Sequence, residues 1–189
     1  SIYSLFKDRQ GIVWVGTYAG GVNYSHSYNQ RFRFFAPSHL AGRFRMAKED
    51  ADNNIWFATE GNGLLRHRPE TGQVESFWLN ENKHHNDNII KSICISGDTI
   101  MCGNQRGEVY NYSIKRNKFS LLRKYDNTNI LYIFKDSREH WWISVQDQGV
   151  FCFSPQGTII HHYEYNDKSV YTVRDDMARA LCQDLEGNI

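Results

Sequence analysis

The stretch Asp8-Arg-Gln-Gly-Ile-Val-Trp-Val-Gly-Thr17 decides how the chain reads, because it returns. It recurs as Asp50-Ala-Asp-Asn-Asn-Ile-Trp-Phe-Ala-Thr59 and as Asp136-Ser-Arg-Glu-His-Trp-Trp-Ile-Ser-Val145. In each copy the Trp lies six residues after the Asp: 8 and 14, 50 and 56, 136 and 142. A spacing held constant along a chain marks a repeat architecture. Locally the stretch reads as a strand end, a turn at Gly11 and a strand opening on Trp14. Tyr18-Ala-Gly-Gly21 then turns the chain into a third strand, Gly21–Ser25, and Arg31–Phe35 supplies a fourth.

Outward from this copy, the same order of four short strands repeats. Unit two runs Phe44–Asp50, Ile55–Thr59, Gly63–His67 and Val74–Trp78. Unit three is degenerate: Ile90–Ile95, a shortened turn at Ser96–Thr99, Ile100–Gly103, Glu108–Ile114 and Lys118–Leu122. There Ile100 takes the Trp position, Cys102 the small position two residues on, and Gly107 matches Gly21 and Gly63. Unit four has Ile130–Asp136, Trp142–Val145, Gly149–Ser154 and Thr158–Tyr163. A fifth opens at Arg179–Asp184, whose Trp would fall at residue 190.

Units of just over 40 residues, each with four Val-, Thr- and aromatic-rich strands and no helical periodicity, fit the blades of a β-propeller. The expected fold is all-β: four four-stranded antiparallel blades and the first strand of a fifth. The blades fall at about 1–40, 41–86, 87–127 and 128–176, with the next starting in 177–189. A β-sandwich of similar strand lengths would give no reason for the period. Four blades and a strand leave open edges and apolar faces, so the chain reads as part of a larger propeller.

Composition excludes other classes. The 189 residues carry a formal net charge of +1, which offers no global basic field for nucleic acid. No apolar run is long enough to span a bilayer, and Ser1–Phe6 already reads as strand rather than as a signal peptide. Cys94, Cys102, Cys152 and Cys182 form no Cys-x-x-Cys pair and read as small buried thiols. A Cys94–Cys102 cross-strand disulfide is a minor alternative in an oxidising compartment.

The pattern Asp-x-x-Gly/Asn-x-x-Trp-φ-Gly/Ala-Thr followed by Gly-φ resembles the two-component regulator propeller repeat. It stands here as Asp8, Gly11, Trp14, Thr17, Gly21 and as Asp50, Asn53, Trp56, Thr59, Gly63. Unit four departs with Glu139 at the turn glycine and Val145 for the Thr, while keeping Asp136, Trp142 and Gly149. Unit three lacks both Asp and Trp, and unit five retains Asp184. The resemblance implies the periplasmic sensor region of a Bacteroidetes hybrid two-component system, an inner-membrane histidine kinase with response-regulator parts. It implies an oligosaccharide ligand, control of glycan-utilisation genes, a homodimeric parent and no enzymatic role for this segment. The remaining blades and downstream domains of the same chain would be its other partners. Neither cofactor nor metal nor direct nucleic-acid contact is expected.

Asp8, Asp50, Asp136 and Asp184 recur in four of the five units, so they read as turn closers that accept backbone N–H groups two or three residues on. Asp50–Asn54 resembles the start of a calcium loop but lacks the sixth-position Gly and the twelfth-position Glu. Trp14, Trp56 and Trp142 read as wedges between blades, whereas Trp78 and Trp141 are freer. His84-His85 and His161-His162 are adjacent pairs whose side chains diverge on a strand. Arg43, Arg45, Arg66, His67 and Arg68 read mostly as solvated charge.

Ligands are expected on the face shared by the strand two-to-three loops and the blade connections. That face would hold Tyr18, Glu60, Asn62, Asn104, Arg106, Gln146, Asp147 and Gln148, with Arg43, Trp78, His84 and Asn129 from the connections. The competing function is a propeller-type glycosidase or lyase. A sialidase-type Asp box would need five residues from Asp to Trp rather than six, and no separate carboxylate pair stands out. A WD-type scaffold would need Gly-His and Trp-Asp dipeptides at its repeats.

Overall fold

The computed structural model describes residues 2–17, 21–25, 32–35, 43–80, 85–126, 128–165, 173 and 175–189. The innermost strand of each four-stranded blade comes first in sequence. Blade 1 comprises β1 (Ile2–Lys7), β2 (Val13–Thr17), β3 (Val22–Ser25) and β4 (Phe32–Phe35). Blade 2 comprises β5 (Phe44–Glu49), β6 (Ile55–Thr59), β7 (Leu64–His67) and β8 (Val74–Phe77). Blade 3 comprises β9 (Ile90–Ser96), β10 (Thr99–Asn104), β11 (Glu108–Ser113) and β12 (Lys118–Lys124). Blade 4 comprises β13 (Ile130–Lys135), β14 (Trp141–Val145), β15 (Gly149–Phe153) and β16 (Ile159–Tyr163). Every sheet pairs its strands in sequence order, and neighbouring innermost strands touch: β1 with β5, β5 with β9, β9 with β13. The fold is therefore a β-propeller of four blades.

Three apolar clusters hold consecutive blades together. Trp14, Val22, Phe44, Phe57 and Leu65 join blades 1 and 2. Trp56, Ala58, Leu64, Ile93, Ile100 and Tyr112 join blades 2 and 3. Met101, Val109, Ile130, Ile133, Phe151 and Phe153 join blades 3 and 4. Burying one aromatic side chain removes roughly 150–250 Å² from water at about 25 cal/mol per Å². An exposed ion pair contributes about 0–1 kcal/mol, so the wedges dominate blade-to-blade cohesion.

The Asp–Trp spacing has a direct cause. Asp8 Oδ2 accepts the Trp14 indole N–H at 2.9 Å, Asp50 Oδ2 that of Trp56 at 2.7 Å, and Asp136 Oδ2 that of Trp142 at 2.9 Å. The other carboxylate oxygen closes the turn. Asp50 Oδ1 accepts the amides of Asp52 and Asn54, and Asp136 Oδ1 those of Arg138 and His140. The bonded amides thus lie two and four residues on, instead of two and three. Burial alone would raise the Asp136 carboxyl; the Trp142 indole and the His140 and Arg138 amides outweigh it and hold the pKa below its ordinary value. The third turn residue is left-handed each time: Gly11, Asn53, Glu139 and Gly187 have φ of 84, 62, 69 and 91°.

Blade 3 corrects the sequence alignment by one residue. Its hairpin turns through Gly97-Asp98, and between equivalent pairs, Ile95–Ile100 against Glu49–Ile55, it is one residue shorter than the Asp turn. A one-residue slip sends each side chain to the opposite face. Cys94 pairs with Met101 where Lys48 pairs with Trp56, so Met101 holds the Trp position and faces blade 4, while Ile100 faces blade 2. Gly103, not Cys102, is the small residue against the next blade: a Cβ there would lie 2.2 Å from Ile130 Cγ2. Gly107 keeps its assigned task, with φ 74° and room for no Cβ against the Tyr125 carbonyl.

Two further expectations change. Residues 177–184 are not assigned as strand, although Asp184 closes its turn on the amides of Glu186 and Asn188. The segment rests on blade 4, where Ser144 Oγ donates to the Ala178 carbonyl at 2.6 Å. All four cysteines are free, and Cys182 is exposed rather than buried. Cys94 and Cys102 pack into different interblade clusters on opposite faces of their sheet, which rules out a bond between them.

Candidate functional site

All four innermost strands carry an irregularity at the same place. Pairing skips between Ile2 and Ser4, Phe44 and Met46, Ile90 and Ser92, and Ile130 and Tyr132. The extra residues are Tyr3, Arg45, Lys91 and Leu131. A β-bulge leaves its extra residue out of the ladder and re-aims it. Here Arg45, Lys91 and Leu131 line a central cavity of about 710 Å³ together with Ser4, Lys48, Asn129, Tyr132, Gln146 and Arg179. Volumes of roughly 300–1,000 Å³ suit small-molecule ligands.

At the loop end of this cavity sits a charge cluster. Glu60, just past β6, is ion-paired with Arg45, with Arg43 at 3.4 Å and with Lys91 at 3.8 Å. Burial would raise its carboxyl, but the Arg45 hydrogen bond and charge, with Lys91 and Arg43, hold it below the ordinary value. Lys91 is pushed down, first by burial and then by repulsion from Arg45, with Glu60 opposing. Across the cavity Asn129 Nδ2 donates to Gln146 Oε1 at 2.8 Å.

The strand two-to-three loops and the blade connections are joined by backbone hydrogen bonds. The amide of Glu60 donates to the Arg43 carbonyl at 2.8 Å, and that of Gln146 to the Asn129 carbonyl at 2.9 Å. Blade 3 repeats the link with Gln105 and Ile89 at 3.2 Å. Strand two-to-three loops and blade connections therefore meet at one end of the propeller. Of the described candidates there, only Asn129 and Gln146 reach the cavity wall, and Arg43 and Glu60 join its charge cluster.

Others have structural tasks. Asn104 is buried, and its Oδ1 accepts the amides of Arg106 and Glu108, closing its own loop. It stands where Thr17 and Thr59 donate to the Gly21 and Gly63 carbonyls. The Asn62 amide is bonded to Thr59 Oγ1, and Gln148 Nε2 reaches the Asp126 carbonyl at 3.4 Å. Arg106 is exposed and Trp78 half-buried at the same end. Tyr18 and His84 lie outside the described residues.

Sequence reasoning missed Lys48, Lys91, Tyr132 and Arg179, and treated Arg45 as solvated charge. Their common signal is the segment just before each repeat turn, a strand in blades 2, 3 and 4. Reading it needs the bulge, which no residue type announces. Arg66 and His67 are also not solvated: Arg66 lies 5.2 Å over the rings of Trp56 and Phe77 and pairs with Glu75. His67 is buried against Trp14 and Phe35, and that burial lowers its pKa.

Residues 1–19, which contain the first Asp–Trp turn, match the family model for the two component regulator propeller. No curated protein sequence matches the chain. Among solved structures, it is similar to the extracellular domain of the putative hybrid two component system BT4673 from B. thetaiotaomicron. That match has a TM-score of 0.83 and 15% identity, and covers 100% of this chain and 25% of the other. The equivalent domain of BT3049 from the same organism matches with a TM-score of 0.70 at 21% identity, covering 89% and 24%. Virginiamycin B lyase from Staphylococcus aureus matches with a TM-score of 0.71 at 12% identity, covering 88% and 56%. This chain thus spans about a quarter of the length of the extracellular domains it resembles. At these identities the likeness is one of fold.

Proposed function

We propose that this chain forms part of the extracytoplasmic, periplasmic sensing region of a membrane-bound hybrid two-component system. Its ligand would be an oligosaccharide taken at the axial cavity, and its output the control of glycan-utilisation genes. One observation carries the reading: blades 1, 2 and 4 share their turn scaffold, and all four blades differ where the bulges face the axis. Arginine, lysine and leucine there, with Asn129, Gln146 and Tyr132, make a wall of donors, acceptors and apolar surface. That mix suits a hydroxyl-rich ring, whose faces are apolar and whose edges hydrogen-bond.

The likeness to virginiamycin B lyase keeps an enzymatic reading in play. Against it, Asp8, Asp50 and Asp136 are bonded to indole and amide groups, an arrangement that builds turns and leaves them no acid–base role. Titration calorimetry of the full chain against an oligosaccharide panel, with mass spectrometry of the recovered sugars, separates the readings. Saturable binding with sugars recovered intact, weakened by Gln146→Ala and Tyr132→Ala, is the expected result. Cleaved products would replace the sensor with the enzyme.

A further inference from the structure

The cavity wall is electrically one-sided. Arg45, Lys48, Lys91 and Arg179 all line it, and no Asp or Glu does so among the described residues. Glu60 stands behind the rim and is shared by Arg43, Arg45 and Lys91, three cations to one carboxylate among the described ion pairs. Neither Lys48 nor Arg179 is ion-paired with a described carboxylate. This is concentrated charge on a chain whose formal total is only +1.

Such an arrangement opposes folding unless something offsets it. Like charges in a concave, partly desolvated site repel one another, and the same geometry focuses their field on a counter-ion. The bulges make the crowding specific. They set Arg45 and Lys91 on neighbouring innermost strands toward the same axis, instead of leaving each in its ladder. Around these cations the wall supplies neutral groups: the amides of Asn129 and Gln146, the Tyr132 ring, and the apolar Met46, Leu131 and Met177. A purely inorganic anion would have no use for that surface. A sugar ring bearing a carboxylate or sulfate would use both.

We propose that the axial cavity recognises an acidic saccharide, with its anionic group held by Lys91 and Arg45 and attracted by Lys48 and Arg179. The inference rests on the sensor reading above and adds the charge of the ligand. Glu60 then orients Arg45 and Lys91 in the empty site, as a carboxylate the ligand anion would partly relieve.

The test uses the full chain with three probes: a sulfated disaccharide, the same disaccharide without sulfate, and sodium sulfate. Calorimetry should give binding at least about tenfold tighter for the sulfated sugar than for its neutral form, and weakening as salt is raised through the range where screening is strong. Lys91→Gln and Arg179→Gln should each cost the sulfated sugar roughly tenfold while moving the neutral one little. The salt series on the unaltered protein provides the same readout without any substitution. Equal affinity for the two sugars, or salt-independent binding, would overturn the charge assignment and leave an oligosaccharide sensor standing. Lys91-dependent binding of sulfate with no binding of either sugar would sustain the anion site and remove the saccharide.

Discussion

At the turn end of blades 1, 2 and 4, Asp8, Asp50 and Asp136 grip the indole six residues on, with the same atoms and nearly the same distances. At the axial end the bulged positions hold Tyr3, Arg45, Lys91 and Leu131, four residues with little chemistry in common. The backbone geometry repeats at both ends, but only the turn end repeats its side chains. Packing one blade on the next poses the same physical problem every time, and Asp, Trp and a small residue solve it. The axis poses no such problem, so its side chains can be set by what the cavity meets.

The largest effect should come from attacking the turn end where burial is complete. Trp56 has 0% exposure, and Trp56→Ala should lower stability by about 3–5 kcal/mol in chemical denaturation. Asp50→Ala leaves the Trp56 indole and the Asn54 amide without their acceptor and should cost about 1–3 kcal/mol. Trp56→Phe tests the link between them. In that background Asp50→Ala should cost clearly less, because the indole donor is already gone. Equal costs in both backgrounds would mean that the carboxylate only closes the turn. Trp142→Ala should be milder than Trp56→Ala, since Trp142 is half-buried and stacks on Tyr163 of its own blade.

Blade 3 sharpens the comparison, since it keeps the bulge and loses the Asp and Trp. The small position there is Gly103, and Gly103→Ala drives a methyl into Ile130 across the interface. About 1–3 kcal/mol of destabilisation is expected from this overpacking. Cys102→Ala, on the other face, should shrink a buried side chain for about 1 kcal/mol. If Cys102 were the residue against blade 4, the order of the two would reverse.

Much of the fold was legible from the sequence because the turn end has a one-dimensional signature. Six residues from Asp to Trp is the distance at which the carboxylate reaches the indole, and that contact survives in any reading of the spacing. Ile100 was misplaced since a hairpin one residue shorter changes which face each side chain takes without changing residue types. The site was far less legible. Glu60, Gln146 and their connections could be placed at one end by counting loops. Arg45 and Lys91 could not be aimed, because alternation assumes an unbroken ladder and the bulge breaks it at that very residue. Lys48 and Arg179 joined them only through the circular arrangement of strands far apart in the chain.

The smallest expected stability change is at the axis, and it distinguishes a packing role from an orienting one. Glu60 has a folded-state pKa below its ordinary value, as its cationic partners outweigh its burial. A carboxyl with a lowered folded pKa contributes stability that is present above the unfolded value, near 4.5, and lost as pH falls through the lower folded value. Glu60→Gln should therefore cost about 1 kcal/mol at neutral pH, where Arg43, Arg45 and Lys91 are left repelling one another. The difference between the two proteins should hold steady above the unfolded value and shrink as pH falls below it through the lower folded value. A difference that persists unchanged at pH 3 would mean that Glu60 contributes shape rather than charge. The same substitution leaves the cations without their carboxylate, so affinity for the sulfated disaccharide should rise if Glu60 competes with the ligand, and fall if its main task is to hold Arg45 and Lys91 in place. Measured together, the two readouts divide the cluster between scaffold and site, a division the turn-end residues do not allow.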